Sequence, residues 1–558
     1  MKISNQLSSK DRDFFRLVSQ LVFNNPFETE RERVAHQIVG RKYKSREVLN
    51  KHLGSKVRQK LDSVVFEPRF SWRDFRGEDQ ELVRIALLYD VYHNSHVEFD
   101  DLISRQISRS SEILDVHFSD RILSLIQQRD FGTEQALRYF EYFYQLRRAW
   151  HFIYHGLIGQ SQSMTRLKAH LWRSVFTSDA HWYESYLWDR MEDFSTFLVG
   201  ETGTGKGTAA AAIGRSGYIS FDERNNRFSE SFMENFIEIN LSQFPESLIE
   251  SELFGHQKGA FTGAIESYSG VFALCSKFGS IFLDEIGDAT VSVQIKLLKV
   301  LEERRFTPVG SHKKMHFSGR IIAATNKDID ELKDNELFRR DFYYRLCSNV
   351  INVPTLRQQI REDPATLEAL LRHTINKITG KSPTELVTAV LEVINREISP
   401  DYHWPGNVRE LEQAVRCILL NKDHCSEIDG WCEIKKEPLA KILKGTNVSS
   451  QELLIAYCVS LYDEYGTYEE VARITMLDPR TVKKYIQSLP FTLTADQKKV
   501  SWQILKDMTK EKPANRLVEG DVGSGKTVVA SIAMLNSILN GLQAVLMAPT
   551  ELLAVQHY

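Results

Sequence analysis

The chain has 558 residues, 42% of them hydrophobic and 26% charged, and its net charge is −3. That length calls for several hydrophobic cores. The near-neutral charge excludes a protein that holds nucleic acid by bulk electrostatics, so any DNA contact must come from a local basic patch.

Met1 to Gln6 opens no apolar signal core, and no apolar run reaches the ~20 residues that span a bilayer. The six cysteines form no C-x-x-C pair, so reduced thiols in a cytoplasmic protein without membrane contact are expected. His424, Cys425 and Cys432 lie close together but lack a fourth ligand, so no metal site is read there.

Residues 1–155 read as a helical N-terminal regulatory region, with regulation inferred from position alone. Glu81 to Tyr92 has apolar residues at helical spacing. Thr133 to Tyr154 is dense in aromatics: Tyr139, Phe140, Tyr142, Phe143, Tyr144, Trp150, Phe152 and Tyr154. They recur all round the helix, which favours a packed core over a ligand surface.

Phe197-Leu-Val199 is a short apolar strand running into Gly200-Glu-Thr-Gly-Thr-Gly-Lys206, the pattern of a phosphate-binding loop. Gly200, Glu201, Thr202, Gly203, Thr204 and Gly205 are placed to turn backbone N–H groups toward phosphates, and Lys206 to reach the β- and γ-phosphates. Gly207 stands where Ser or Thr commonly ligates Mg²⁺, with Thr208 one step later. Phe236 to Asn240 reads as the next strand. Gly259-Ala-Phe-Thr-Gly-Ala264 is too small and flexible for a core helix, and reads as a loop tip offering one ring, Phe261, and one hydroxyl, Thr262.

Gly279 to Glu285 is a buried strand ending in two carboxylates. Asp284 is suited to hold Mg²⁺ through water, and Glu285 to orient or deprotonate the attacking water. Arg320 to Asn326 is another strand with a polar end, putting Asn326 near the γ-phosphate. Arg339 and Arg345 are candidate fingers supplied in trans across a subunit interface. Residues 351–403 read as helices of a lid. Trp404 to Leu411 opens a helix with Arg409 near its start, facing a phosphate.

Taken together, these pieces resemble the AAA+ domain of sigma-54-dependent transcription activators over residues 158–420. The motifs that carry the resemblance are Gly200 to Lys206, Glu252-Leu-Phe-Gly-His256, Gly259 to Ala264, Phe282 to Ile286, Ala324 to Asn326, Phe338 to Leu346 and Trp404 to Leu411. The resemblance implies an α/β P-loop domain, a parallel sheet flanked by helices, over 156–350, with a helical lid over 351–440. It implies a ring, usually a hexamer, that hydrolyses ATP with Mg²⁺ between subunits. It implies that Gly259, Ala260, Phe261, Thr262, Gly263 and Ala264 form the contact with sigma-54 RNA polymerase, and that Asn240 couples to Glu285 as a switch reporting the γ-phosphate. Gly207 departs from the family, where Glu is common. The N-terminal region shows no receiver-type phosphoacceptor pattern.

Residues 448–489 resemble a helix-turn-helix. Thr467-Tyr-Glu-Glu470 is a capping box, and Asp478-Pro479 is an N-cap followed by proline at the first helical position. Arg480, Thr481, Lys483 and Lys484 are then candidates for contact with double-stranded DNA at an upstream activator site. A small helical bundle is the alternative, and Met476 stands where a turn glycine is common.

Residues 490–558 resemble the start of a RecG-type helicase motor. They hold a second phosphate loop with Gly520, Gly523, Gly525, Lys526 and Thr527. Without a second acidic strand or an arginine motif before Tyr558, this segment is expected to cradle a nucleotide without hydrolysing it efficiently, as the remnant of a fusion or truncation. Two other readings stay open: a DNA helicase or repair translocase, and an ATP-sensing DNA-binding repressor, toward which Gly207 leans.

Overall fold

The computed structural model describes residues 6–43, 45–64, 71–329, 332, 338–398 and 402–421, together with shorter stretches beyond, chiefly 468–475 and 495–508. The chain divides into two compact units, Met1–Ile434 and Lys435–Tyr558.

In the first unit the strands, in chain order, are β1 (Thr196–Val199), β2 (Phe221–Asp222), β3 (Arg227–Phe228), β4 (Phe236–Asn240), β5 (Ser280–Asp284), β6 (Arg305–Phe306), β7 (Met315–His316), β8 (Arg320–Thr325) and β9 (Asn349–Asn352). A five-stranded sheet has the order β4-β5-β8-β1-β9, with every pairing parallel. Strands of such a sheet are covered on both faces, which is why β5 and β8 read as near-continuous apolar runs.

The two faces separate residue by residue. Ile281 and Leu283 of β5 join Ile321 and Ala323 of β8 in a core closed by helices Glu246–Phe254, Val291–Glu303 and Arg340–Leu346. Phe282, Ile322, Ala324, Leu198 and Ile351 face the other way, onto helices Lys206–Gly214 and Gln162–Phe176. The alanines of Lys206–Gly214 let it lie close to the sheet. Gly214 makes room for Phe236, since a Cβ there would sit 2.3 Å from that ring. The α/β reading of this segment is borne out.

Strand β9 corrects the expectation that residues from 351 onward are helical. Only Val350 and Ile351 are apolar between two asparagines, a pattern too short to read as a strand until β1 pairs with it at the sheet edge. Beyond β9, helices Leu356–Glu362, Ala365–Thr379, Thr384–Glu397 and Asn407–Asn421 pack around Leu371, Ile375, Val390, Ile394, Trp404 and Leu411.

Packing also crosses the expected boundary at 155. Helix Thr133–Trp150 buries Phe140 and Tyr144 against Phe221, Phe228 and Phe232 of the β2–β3 hairpin region. Ala149, Ile153 and Leu157 share the core under β1 and β8. The aromatics that encircle this helix therefore serve two cores. A separate core in helices Ser9–Phe23, Thr29–Val39, Arg46–Val64 and Glu78–Ser108 holds the N-terminal region.

In the second unit, helices Tyr468–Thr475 and Ala495–Met508 are described, and Val471 and Ala472 are buried. Thr481 N–H donates to the Asp478 carbonyl at 2.9 Å. Arg480, Lys483, Lys484, Gly520, Gly523, Gly525, Lys526 and Thr527 lie outside the described residues, as do His424, Cys425 and Cys432. Among the described residues no group of His, Cys, Asp or Glu is placed to hold a metal by itself, and no helix is long and apolar enough to cross a membrane.

Candidate nucleotide site and partner loop

The phosphate loop connects β1, an interior strand of the sheet, to helix Lys206–Gly214. Gly203 and Gly205 take φ of +77° and +96°, which residues with a Cβ adopt at a cost. A Cβ on Gly203 would also lie 2.1 Å from the Gly406 carbonyl oxygen. Gly203 is therefore the point where the turn before helix Asn407–Asn421 meets the loop.

That junction is built by residues the sequence reading passed over. Asn407 is fully buried at φ +52°. Its Nδ2 donates to Glu201 Oε2 and to the Thr202 carbonyl, both at 3.1 Å, and its Oδ1 accepts from Leu356 N–H at 2.8 Å. Val408 N–H donates to the Gly203 carbonyl at 3.0 Å. Arg357 forks onto the Glu201 carboxylate, one bond at 2.9 Å, and holds it below the usual carboxylate range. Asn407 lies inside the quoted Trp404–Leu411 motif, so its signal was in the sequence. Arg357 carried none, because its partner lies far away in the chain. Arg409 is exposed, with its Cβ beside Gly203.

Lys206 is buried and donates to the Gly200 carbonyl at 2.8 Å, with Glu285 Oε1 3.8 Å away. Burial lowers its ammonium pKa, opposed by Glu285 and Asp284. Burial raises both carboxylates, and Lys206 pulls them back. Glu285 takes φ +53°, and Asn326 N–H donates to its Oε2 at 3.1 Å. Asn326 Nδ2 donates in turn to Thr202 Oγ1 at 3.2 Å. Lys206, Asp284, Glu285, Asn326 and Thr202 are thus brought together.

Asn240 is placed differently from the expected coupling. Its amide lies 3.5 Å from Asp284 Oδ2, not on Glu285, because β4 and β5 pair Asn240 with Asp284 in register. Gly207 has an ordinary φ, and a Cβ there would meet Glu238 Oε1 at 3.6 Å, so the position has room for a side chain. Thr208 is exposed. Arg339 and Arg345 have partners within their own region: Arg339 forks onto Asp341 at 3.0 and 2.6 Å, and Arg345 donates to the Leu301 carbonyl at 3.2 and 3.0 Å.

The far end of the phosphate-loop helix is also held. Arg148, fully buried, donates to the carbonyls of Arg215 and Gly217 at 2.8 and 2.6 Å, and Gln145 donates to that of Ser216 at 3.1 Å. A cation on C-terminal helix carbonyls meets the negative end of the helix dipole. Burial pushes the Arg148 guanidinium down to about 10.

Helix Glu246–Phe254 leads from β4 to the loop of residues 259–264. The loop's neck is a backbone junction. Gly255 and Gly270 approach so closely that a Cβ on Gly270 would sit 2.2 Å from Gly255 N. His256 and Tyr268 exchange two hydrogen bonds of 2.9 Å, and Gln257 N–H donates to the Val309 carbonyl at 3.0 Å. Within the tip, Gly259 N–H donates to the Ala264 carbonyl at 2.8 Å. Phe261 is 38% exposed with its ring edge-on to His256 at 4.9 Å, Thr262 is exposed, and Ala264 is buried.

Residues 185–353 match the family model of the Sigma-54 interaction domain, and residues 494–558 match that of the DEAD/DEAH box helicase. The chain is 34% identical over 303 residues to the Nif-specific regulatory protein of Azotobacter vinelandii, covering 53% of this chain and 54% of that protein. It is 39% identical over 233 residues to the Sigma54-dependent transcriptional regulator SfnR of Pseudomonas fluorescens (strain Pf0-1), covering 40% of this chain and 56% of that protein. It thus spans about half the length of these curated relatives. Its likeness to the crystal structure of NtrX from Brucella abortus in complex with ATP is slight, at 19% identity and a TM-score of 0.37 over 66% of this chain and 79% of that one. The resemblance read from the motifs is borne out.

Proposed function

We propose, from the sigma-54 interaction domain that this chain carries, that it is an ATP-driven transcription activator. It hydrolyses ATP in a ring and moves the Gly259–Ala264 loop against sigma-54 RNA polymerase, having bound upstream DNA. The observation that carries this reading is the joining of two sites in one α/β fold. Lys206, Asp284 and Glu285 converge at the ends of β1 and β5, and a single helix from β4 leads to an exposed Phe261 on a glycine-pinched neck.

Lys206 and the loop N–H groups bind the phosphates. Glu285, lying between Lys206 and Asn326, orients and deprotonates water. Two carboxylates whose pKa values burial raises form an oxygen donor set that fits Mg²⁺, with Asp284 as its holder; the ion would neutralise phosphate charge. Gly207 supplies no oxygen, so Thr208 or water must complete the shell. Arg339 and Arg345 act in trans on a neighbouring copy's nucleotide, for which each must leave its present partner. Asn240, beside Asp284, is placed to exchange partners when the γ-phosphate arrives. Ser242 extends that contact, donating its N–H to Asn240 Oδ1 at 2.9 Å and its Oγ–H to Asp288 Oδ2 at 3.1 Å.

The test is a set of turnover and capture measurements. Lys206→Ala and Glu285→Ala should each lower ATP turnover by about 100-fold or more. Thr262→Ala should leave turnover intact and abolish sigma-54 capture. Lys526→Ala should be silent. Turnover lost only in Lys526→Ala would transfer the activity to the helicase-like segment, and capture unaffected by Thr262→Ala would remove the loop from the mechanism.

A further inference from the structure

The hairpin β6–β7 ends beside the partner loop, and its tip carries a chemistry that the proposed function does not use. Gln257 joins the two through its N–H to the Val309 carbonyl at 3.0 Å and its Nε2 to Ser311 Oγ at 3.1 Å. Gly310, at φ +74°, lies so close to Ala260 that a Cβ on it would sit 2.7 Å from the Ala260 Cβ. The two tips are thus one surface. On it His312, Lys313, Lys314 and Lys258 are all exposed.

Among the described residues, none of these lysines forms an ion pair, whereas Lys296 and Lys327 close onto Glu250 and Asp288 at 2.5 and 2.7 Å. A protein whose net charge is −3 has here placed three exposed lysines, none in an ion pair among the described residues, on the two tips that meet at Ala260 and Gly310. Ile265, 78% exposed, adds a second apolar contact on the same loop.

We propose that Lys313 and Lys314, with Lys258, form a phosphate-gripping surface that holds promoter DNA beside the sigma-54-contacting loop. The inference rests on the proposed function, which brings this loop to a promoter complex. Compact, exposed ammonium groups at a hairpin tip suit a phosphate backbone, which is a line of point charges. The tip has no arginine, whose planar fork would fit carboxylate and phosphate alike, so it offers point charges that neutralise a backbone without bidentate recognition. In a ring each subunit repeats the patch, so the grip is multiplied without new contacts. The contact carries no base readout; it fixes position, and Phe261, Thr262 and Ile265 carry the partner contact.

The experiment uses the full chain with a trapped nucleotide transition-state analogue. Lys313→Gln/Lys314→Gln is compared with the wild type for capture of free sigma-54, and of sigma-54 holoenzyme on a labelled promoter duplex that lacks an upstream site. We expect unchanged ATP turnover, unchanged melting and unchanged capture of free sigma-54. Capture of the promoter complex should fall roughly tenfold at ~100 mM salt, with the slope of log affinity against log salt shallower by about 2 for each engaged subunit. Lys313→Arg/Lys314→Arg should restore both. An equal loss for free sigma-54 would assign the patch to an acidic protein surface and overturn the proposal, as would an unchanged salt slope. Failure of the wild type to capture sigma-54 in either form would instead overturn the proposed function itself.

Discussion

Asn407→Ala is the sharpest probe of how the lid is coupled to the nucleotide site. The wild-type side chain satisfies a buried donor, Leu356 N–H at 2.8 Å, and gives two bonds to the phosphate loop at 3.1 Å. Alanine leaves the Leu356 N–H without its acceptor, at a cost of about 1–3 kcal/mol. It must also hold φ +52°, a conformation asparagine tolerates and alanine adopts at about 1–2 kcal/mol. Together these cost at least about 2 kcal/mol, which lowers the melting temperature of the unit Met1–Ile434 by about 2 °C or more.

The loss should fall on lid docking, so the KM for ATP should rise more than kcat falls. Asn407→Asp separates the two halves of the contact. It keeps the acceptor for Leu356 N–H and the tolerance of the left-handed backbone, and sets a second carboxylate against Glu201. It should therefore melt closer to the wild type than alanine does, yet bind ATP worse than the wild type. Melting and ATP affinity both unchanged in Asn407→Ala would refute the reasoning.

Gly203→Ala should abolish nucleotide binding, measured by titration with a fluorescent ATP analogue, because a Cβ 2.1 Å from the Gly406 carbonyl forces lid and loop apart. Arg148→Met should destabilise by about 2 kcal/mol or more in a chemical denaturation series, since it removes the donors to the half-buried carbonyls of Arg215 and Gly217; lysine should recover only part, lacking the fork. For pH, Asp284 and Glu285 both have folded-state pKa values above their ordinary ones. Their ionised forms oppose folding above those values, and the cost is relieved as pH falls through them. A water-activating Glu285 must be ionised, so the acid limb of kcat/KM should lie above the ordinary glutamate value while the fold gains stability from these two groups. An acid limb in the ordinary glutamate range would contradict this.

The motifs made the site legible because each packs its chemistry into a few consecutive residues. The phosphate loop, the Asp284–Glu285 strand end and the glycine-bracketed loop all read from local spacing. β5 and β8 read as buried strands because a parallel sheet covered on both faces demands apolar runs. β9 did not, since its pattern has meaning only beside β1. The aromatics of 133–154 were read as core, and they are, but the sequence drew a boundary at 155 that the packing crosses.

The sequence by itself determined that a phosphate-loop motif, an acidic strand end and a glycine-bracketed loop tip coexist in one chain. Only the tertiary structure decided how they are joined. Asn240 meets Asp284 because strand register places it there, and Glu201 meets Arg357 and Asn407 across more than 150 residues. Arg148 caps a helix from a region that local composition assigns elsewhere, and the hairpin tip that carries the lysines at 313–314 meets the 259–264 loop at Ala260 because glycine at 310 lets two tips touch. Periodicity and spacing report interactions within about one turn or one strand. Contacts between distant segments are fixed by packing, which no local pattern encodes.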